Sequence, residues 1–406
     1  MMSAPHSSSA SSDKSAAFAA ELSHMKKSFE SMEPELAETV KDTELGVEGY
    51  VVVWNTGISV GGPLERSGKG GTRTTPTLSL DEVKMLARTM ALKNAAAGLP
   101  LGGAKSGLKA DPNAPDFEKK YRRFVSLCKP FLHENGGIFG GFGFDIGSKP
   151  VHALWACDEL QSTRSFTGKP LDMGGTDYDR EGIAGLGVAV AAATTLAVFN
   201  VPTQGATFSI QGMGAMGAAV LRYFTETGAI LKSLGDPKYG GTWLLKSAPS
   251  AELLKALIIQ DTERAKALLE TEASKVSADT QDALYQNVDV LFPCAVQNVI
   301  SIDNCDRIKA RFISEGANGP SSEAAKTRLH ERGIRLVPDF IANPGGIIAA
   351  FVELTSTGQN KAEEAKSLTR TKIAENVRRM WGLVEEYQTE PQNAGLYMAL
   401  SAIGIK

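Results

Sequence analysis

The sequence predicts an α/β fold with two domains around a cleft, and three observations carry that prediction. At 406 residues the chain exceeds what one hydrophobic core usually organises. From about Ala206 onward, the short β-rich runs ATFSIQ, AILKSLGD, VDVLFPCA, ARFISEGA and GIRLVPDF alternate with helical stretches. Such alternation marks βαβ units on a parallel sheet covered on both faces. The first half of the chain is less regular, so it reads as a second α/β domain of different build that forms the other wall of the cleft.

Taken in order, residues 1–20 are rich in Ser and Ala and lack an apolar run behind a basic start, which reads as a flexible tail and not a secretory signal. Residues 21–180 make the first domain, with VEGYVVVWNTGIS as a strand and Leu80 to Ala97 as a helix opened by Ser79 and Asp81. Gly182 to Leu221 contains no charged residue, yet Pro202, Gly205 and the glycines from Gly212 interrupt it. A buried helix followed by a buried strand fits that stretch better than a membrane span. Residues 181–346 form the second domain, and 347–406 turn helical again, through Lys361 to Tyr387, and are expected to pack back on the first.

Composition narrows the partners. Charged residues are 22% of the chain and the net charge is −3, so no basic excess points to nucleic acid or an anionic membrane. A small-molecule partner is expected. Cys128, Cys157, Cys294 and Cys305 form no CxxC and read as reduced thiols of a cytoplasmic protein. Five histidines make no HExxH pair, and no GxSxG elbow occurs, so neither a metal site nor acyl transfer is expected.

Gly212, Gly214 and Gly217 spell GxGxxG in QGMGAMGAAVLRYF, directly after the apolar run ATFSI and before an amphipathic helix. In that setting the first glycine permits a tight turn, the second lets a pyrophosphate approach the backbone, and the third lets helix and strand pack closely. The helix N-terminus then faces the phosphates. Asp236, 19 residues beyond Gly217 at the end of the next strand, is placed to accept hydrogen bonds from a ribose. This predicts a Rossmann-type domain and favours NAD, while nearby Lys238 leaves NADP open.

Lys69 in GKGGTR and Lys105 in GGAKSG are bracketed by glycines, and Lys93 in ALKNAAAG sits on a helix with little other polar surface. Several ammonium groups in a partly dry cleft disfavour one another's charge and draw a pKa down, which suits a lysine to general base work. Asp145 in GGFGFDIGSK is again a carboxylate among small residues.

From about Val47 to the C-terminus the chain resembles the Glu/Leu/Phe/Val amino-acid dehydrogenase family. The matching segments are KGGTR, LKNAAAGLPLGGAKSG, FDIG, QGMGAMG, DVLFPCAVQN, SEGANGP and PDFIANPGG. Their spacing also fits, with 24 residues from Lys69 to Lys93, 12 to Lys105 and 40 to Asp145. The resemblance implies reversible NAD(P)-dependent oxidative deamination of an L-amino acid to a 2-oxo acid and ammonia. Lys93 would bind the α-carboxylate, Lys105 would assist water attack on the imine, and Asp145 would exchange protons with ammonia. Lys69, Gly70 and Ala350 would line the substrate pocket. Ala215 and Met216 in the glycine loop, Ala295 in FPCA and Asn318 near the nicotinamide ribose would meet the cofactor. Ala184 stands where the family's threonine is expected, which leaves the nicotinamide amide contact missing or supplied by a neighbour such as Thr176.

Substrate choice is split. Lys69 matches the glutamate branch, where it meets the side-chain carboxylate, whereas Ala350 stands where glutamate enzymes offer a serine, and KNAAAGL and FPCA look like the leucine and phenylalanine branches. A buried, unpaired lysine is costly, so Lys69 should have an anionic partner. That favours glutamate, with a branched-chain or aromatic amino acid as the alternative. Two readings from other classes are a non-catalytic nucleotide-binding paralogue and a 2-hydroxy-acid dehydrogenase using His133 or His152. The resemblance also implies a homo-oligomer, a hexamer or an octamer.

Overall fold

The computed structural model describes residues 8–405, with side chains from residue 13 onward. The chain divides into two compact units. An N-terminal unit holds Ala17–Tyr178, Ile347–Ala365 and Leu396–Lys406, and a central unit is built on Asp179–Gly346 and Lys366–Gly395.

Helix α1 spans Ser8–Glu30, which corrects the expectation of a flexible tail through residue 20; residues 1–7 lie outside the described residues. Its buried side chains Phe18, Leu22, Met25 and Phe29 recur at a helical period and make one apolar stripe. Strands β1 (Leu36–Asp42), β2 (Val47–Trp54), β3 (Gly68–Lys69) and β4 (Thr72–Thr75) follow, then α2 (Leu80–Ala96) and β5 (Gly102–Lys109). Ser79 caps α2 by accepting the Glu82 N–H, as its position before the helix predicts. The sheet order is β1-β2-β5-β3, with β4 also on β5. β5 runs antiparallel to β2 and parallel to β3 and β4, so GGAKSG is a buried interior strand and not a turn. Helices α3 (Phe117–Cys128) and α4 (Pro150–Leu160), with the short parallel pair β6 (Phe142–Gly143) and β7 (Phe166–Thr167), complete this part.

The central unit begins with the buried helix α5 (Ile183–Val198) and β8 (Thr207–Gln211), then α6 (Ala215–Thr225) and β9 (Ile230–Asp236). Next come β10 (Gly241–Leu245), α7 (Ala251–Ile258), α8 (Thr262–Glu272), β11 (Ala273–Ser277) and β12 (Val290–Pro293). β13 (Phe312–Ser314), α9 (Glu323–Glu331), β14 (Arg335–Val337) and α10 (Asp339–Ala342) close it. The sheet order is β11-β10-β9-β8-β12-β13-β14. The five runs singled out in the sequence are its parallel strands, but the sheet is mixed, because β10 pairs antiparallel with both β9 and β11. Strand order reverses beside β8, and in such sheets a ligand sits outside the carboxyl ends of the strands at that point.

The C-terminal helices are α11 (Gly345–Thr355), α12 (Lys361–Tyr387) and α13 (Pro391–Ile403). Not all of them join the first domain as expected, since Lys366–Gly395 clusters with the central unit. Trp381 on α12 is the reason, donating its indole N–H to Thr195 on α5 at 3.1 Å and meeting Phe199 edge-on at 5.0 Å. Among the described residues no helix is long and apolar enough to cross a membrane.

Candidate active site

Lys105 lies midway along β5, 6% exposed, with its ammonium 2.6 Å from Asp145 Oδ2. Asp145 follows β6 in a loop stitched to β4: Thr74 donates its N–H to Ile146 O at 2.9 Å, and Ser148 donates its hydroxyl to Thr72 O at 3.1 Å. A Cβ on Gly147, whose φ is +82°, would stand 2.1 Å from Thr74 O, so only glycine lets the loop lie this close. Arg73 on β4 completes the group, with Nε 3.1 Å from Asp145 Oδ2 and Nη1 2.9 Å from Glu82 Oε1.

These contacts set the charges. Burial pulls the Lys105 ammonium below its ordinary pKa and outweighs the pull of Asp145 in the other direction. Burial would raise Asp145, but the adjoining Lys105 and Arg73 cations outweigh it and hold the carboxyl below the usual carboxylate range. The result is a carboxylate held against an ammonium whose proton affinity burial has lowered.

Lys69 is 1% exposed, and its ammonium donates to three backbone carbonyls, Gly70 at 3.0 Å, Gly141 at 2.8 Å and Phe142 at 2.7 Å. These three carbonyl oxygens match the three N–H donors of an ammonium, and among the described residues no carboxylate side chain forms an ion pair with it. Burial brings Lys69 down to about 7, opposed by Glu353 and reinforced by the charges of Lys169 and Lys105. Lys169 and Glu353 form a buried ion pair, their side chains 4% and 1% exposed. The other Glu353 oxygen accepts the N–H groups of Gly168 at 3.0 Å and Thr176 at 3.1 Å and the Thr176 hydroxyl at 3.0 Å. Thr176, the stand-in for a nicotinamide contact, thus has its hydroxyl committed to Glu353.

Of the other residues expected at the substrate pocket, Lys93 sits half-buried in the last turn of α2. Gly70 lies between β3 and β4, where a Cβ would stand 1.8 Å from Ala104 O. Ala350 is buried on α11, three residues before Glu353. Sequence reasoning assigned nothing to Arg73, Glu82, Lys169 or Glu353. Lys169 had the signal used for Lys69, a lysine beside glycine and proline in TGKP, and Glu353 is the lone charge in GGIIAAFVELT.

In the central unit the glycine loop follows β8 and opens α6. Gly212 has φ +91° and lies under Ala295, whose Cα would be 2.5 Å from an added Cβ; a Cβ on Gly217 would stand 2.0 Å from Gly212 O. Around Gly214 no atom lies within 4 Å of such a Cβ, Gly214 and Ala215 are exposed, and no side chain caps the helix. Met216 is half-buried in the first turn. Open backbone with uncapped N–H groups is what a pyrophosphate requires, so the residues fit a dinucleotide. Asp236 is 9% exposed and accepts the N–H groups of Met213 at 2.6 Å and Lys238 at 2.9 Å. A carboxylate has about four acceptor sites, so capacity for ribose hydroxyls remains. Asn318 is exposed, and its Oδ1 accepts from Asn343 Nδ2 at 3.2 Å.

The histidine-based alternative fares poorly. His152 is 1% exposed in a ring cluster with Phe117, Tyr121 and Trp155, and burial lowers its pKa to about 4. His133 lies at the surface with Nε2 3.1 Å from Glu65 O.

Fold and site together define a dinucleotide-dependent dehydrogenase, and comparison with known proteins gives the family. Residues 174–404 match the model of Glutamate/Leucine/Phenylalanine/Valine dehydrogenase, and residues 39–162 match the Glu/Leu/Phe/Val dehydrogenase dimerisation domain. The chain is 32% identical over 370 residues to the NADP(+)-dependent glutamate dehydrogenase of Pyrobaculum calidifontis, covering 88% of this chain and 85% of that one. Among solved structures it resembles the glutamate dehydrogenase of Peptoniphilus asaccharolyticus, with TM-score 0.74, 22% identity and coverage of 98% and 97%. It also resembles the hetero-hexameric glutamate dehydrogenase of Thermus thermophilus in its Leu-bound form, with TM-score 0.71, 22% identity and coverage of 99% and 97%. The chain belongs to the Glu/Leu/Phe/Val dehydrogenase family and is an oxidoreductase acting on the CH–NH2 group of an amino acid, with NAD or NADP as cofactor.

Proposed function

We propose that the protein catalyses the reversible oxidative deamination of L-glutamate to 2-oxoglutarate and ammonia, preferring NAD. The observation that carries this reading is the buried Lys105–Asp145 pair at 2.6 Å. Lys93 would hold the substrate α-carboxylate, and a bound dinucleotide would supply the acceptor for the hydride leaving Cα. Lys105, its proton affinity lowered by burial, takes a proton from the water that attacks the resulting imine carbon. Asp145, a carboxylate at rest, takes a proton from the substrate ammonium before the hydride leaves and returns it to the nitrogen that departs as ammonia. Gly212, Gly214, Ala215, Met216 and Gly217 receive the pyrophosphate, with Ala295 and Asn318 beside the cofactor.

Glutamate is supported by the cluster of cations around Lys69 and by the relative from Pyrobaculum. An amino acid with an apolar side chain is the second reading, favoured by the carbonyl-capped Lys69 and by Ala350 in place of a hydroxyl. NAD is supported by the Asp236 carboxylate, which repels a 2′-phosphate, and by the Lys238 ammonium, engaged by Gln260 Oε1 at 3.0 Å. We place the enzyme in the cytoplasm as a homo-oligomer of six or eight copies. The test is a kcat/KM panel of glutamate, leucine, valine, phenylalanine and aspartate with each dinucleotide, alongside light scattering. A higher kcat/KM for leucine or phenylalanine than for glutamate overturns the substrate, and a clear NADP preference overturns the role of Asp236.

A further inference from the structure

A second basic site lies in the central unit, away from the glycine loop. Gly212 follows the carboxyl end of β8, whereas this groove is lined by the residues that lead into the amino ends of β13 and β14. The two strands run parallel to β8 through β12, so the groove and the dinucleotide loop lie at opposite ends of one sheet. Its volume is about 720 Å³, within the range of small-molecule pockets.

The lining carries Arg307, Lys309, Arg311, Arg332 and Arg335 against one carboxylate, Asp306, on a chain whose net charge is −3. Asp306 is shared with a cation outside the groove, since Arg328 Nε holds it at 2.9 Å, while Arg332 Nε within the lining is 3.8 Å away. Among the described residues no carboxylate forms an ion pair with Lys309, Arg311 or Arg335, while Arg307 reaches Asp282 only at 3.6 Å. Two carboxylates, Asp282 and Asp306, thus answer five cations, and positive charge remains in excess at the groove.

The arrangement is held in place. Arg332 Nη2 donates to Ile308 O at 2.7 Å and fixes the turn that presents Lys309 and Arg311. The Arg307 guanidinium lies 3.7 Å from the centre of the Tyr285 ring, and that of Arg335 lies 4.1 Å from the centre of Phe199. Stacking on an aromatic face restrains a guanidinium while its N–H edge stays open to acceptors. Planar donors held by stacking are suited to bidentate binding of phosphate oxygens.

We propose that this groove binds a small oligophosphate, at a site separate from catalysis. The probes are sodium tripolyphosphate, ATP and sulfate, titrated by calorimetry into the full-length protein with NAD saturating, so that the glycine loop is filled. One tripolyphosphate or ATP per chain is expected, at least tenfold tighter than sulfate, with affinity falling as salt rises. Equal affinity for tripolyphosphate and ATP identifies the phosphate chain as the determinant, and tighter ATP identifies a nucleotide ligand. Lys309→Glu/Arg311→Glu, two exposed positions, should weaken binding at least tenfold with the KM for NAD and the melting temperature unchanged. No binding of either oligophosphate, sulfate bound as tightly, or unaltered affinity in the double variant overturns the proposal.

Discussion

The buried Lys169–Glu353 pair gives the sharpest energetic test. In Glu353→Gln the amide oxygen can keep the three donors on one side, Gly168 N–H, Thr176 N–H and the Thr176 hydroxyl. Its NH2 group then faces the Lys169 ammonium, donor against donor, and leaves that buried charge with Phe166 O as its remaining partner. Leaving one member of a buried pair uncompensated costs about 3–5 kcal/mol. Lys169→Met strands the carboxylate instead, although three donors still reach it, and should cost about 2–4 kcal/mol. The double variant buries no net charge and loses chiefly the bond to Phe166 O, about 1–2 kcal/mol. The single costs therefore exceed the double by about 3 kcal/mol or more, as a double-mutant cycle measures. Urea unfolding at pH 7, followed by tryptophan fluorescence at one protein concentration, reads all four proteins. A coupling energy below about 0.5 kcal/mol would show that the two charges do not meet in a dry interior, and the reasoning would fail.

Other outcomes follow from the same geometry. Asp145→Asn keeps the shape of the site but removes the proposed proton carrier, so kcat of the folded protein should fall about 10²–10⁴-fold; a loss under tenfold contradicts the role of Asp145. Lys69 has its pKa lowered to about 7 by burial, so the folded state carries a penalty that is complete below pH 7 and relieved as pH rises toward the unfolded value. Unfolding free energy of the wild type relative to Lys69→Met should accordingly rise by about 2–3 kcal/mol between pH 7 and 9, and parallel pH curves count against it. Asp236→Ser should shift the NAD to NADP ratio of kcat/KM at least tenfold toward NADP, and steady-state rates decide it. Gly103→Ala should cost about 1–3 kcal/mol in urea unfolding, because its Cβ would stand 2.3 Å from Ala91 N and 2.4 Å from Ala87 O; an unchanged midpoint refutes the close approach of α2.

What the sequence made legible was local. Ser79 before an apolar helix, ATFSI before GxGxxG, and the uninterrupted stretch Lys361 to Tyr387 each contain their own signal within a turn or two. The antiparallel edge was also written locally, in the PKYG turn whose Gly240 has φ +75°, but five parallel runs made a uniform sheet the simpler reading. The ion pairs were harder for a physical reason. Arg73 and Asp145 are 72 residues apart, Lys69 meets carbonyls 72 and 73 residues away, and Lys169 and Glu353 are 184 apart. No local pattern records such partners, and for Lys69 the carbonyls of Gly141 and Phe142 lie far along the chain.

The glycines around Lys105 have a structural role of their own. On β5 the residues Gly103, Lys105 and Gly107 share one face, because side chains alternate along a strand. Gly103 on that face is closed by α2, and a Cβ on Gly107 would stand 2.3 Å from Leu78 Cδ2. The opposite face carries Ala104 and Leu108 into the apolar core with Val51 and Phe124. Between Gly103 and Gly107, Lys105 is thus the one long side chain on a stretch of that face that its glycine neighbours let α2 and Leu78 approach. The same approach that excludes a Cβ also takes the lysine stem out of water, and burial is the leading cause of its lowered pKa. Glycine at 103 and 107 therefore acts on the Lys105 ammonium through its desolvation, by letting a helix down onto the strand, and the carboxylate of Asp145 then fixes where that ammonium rests.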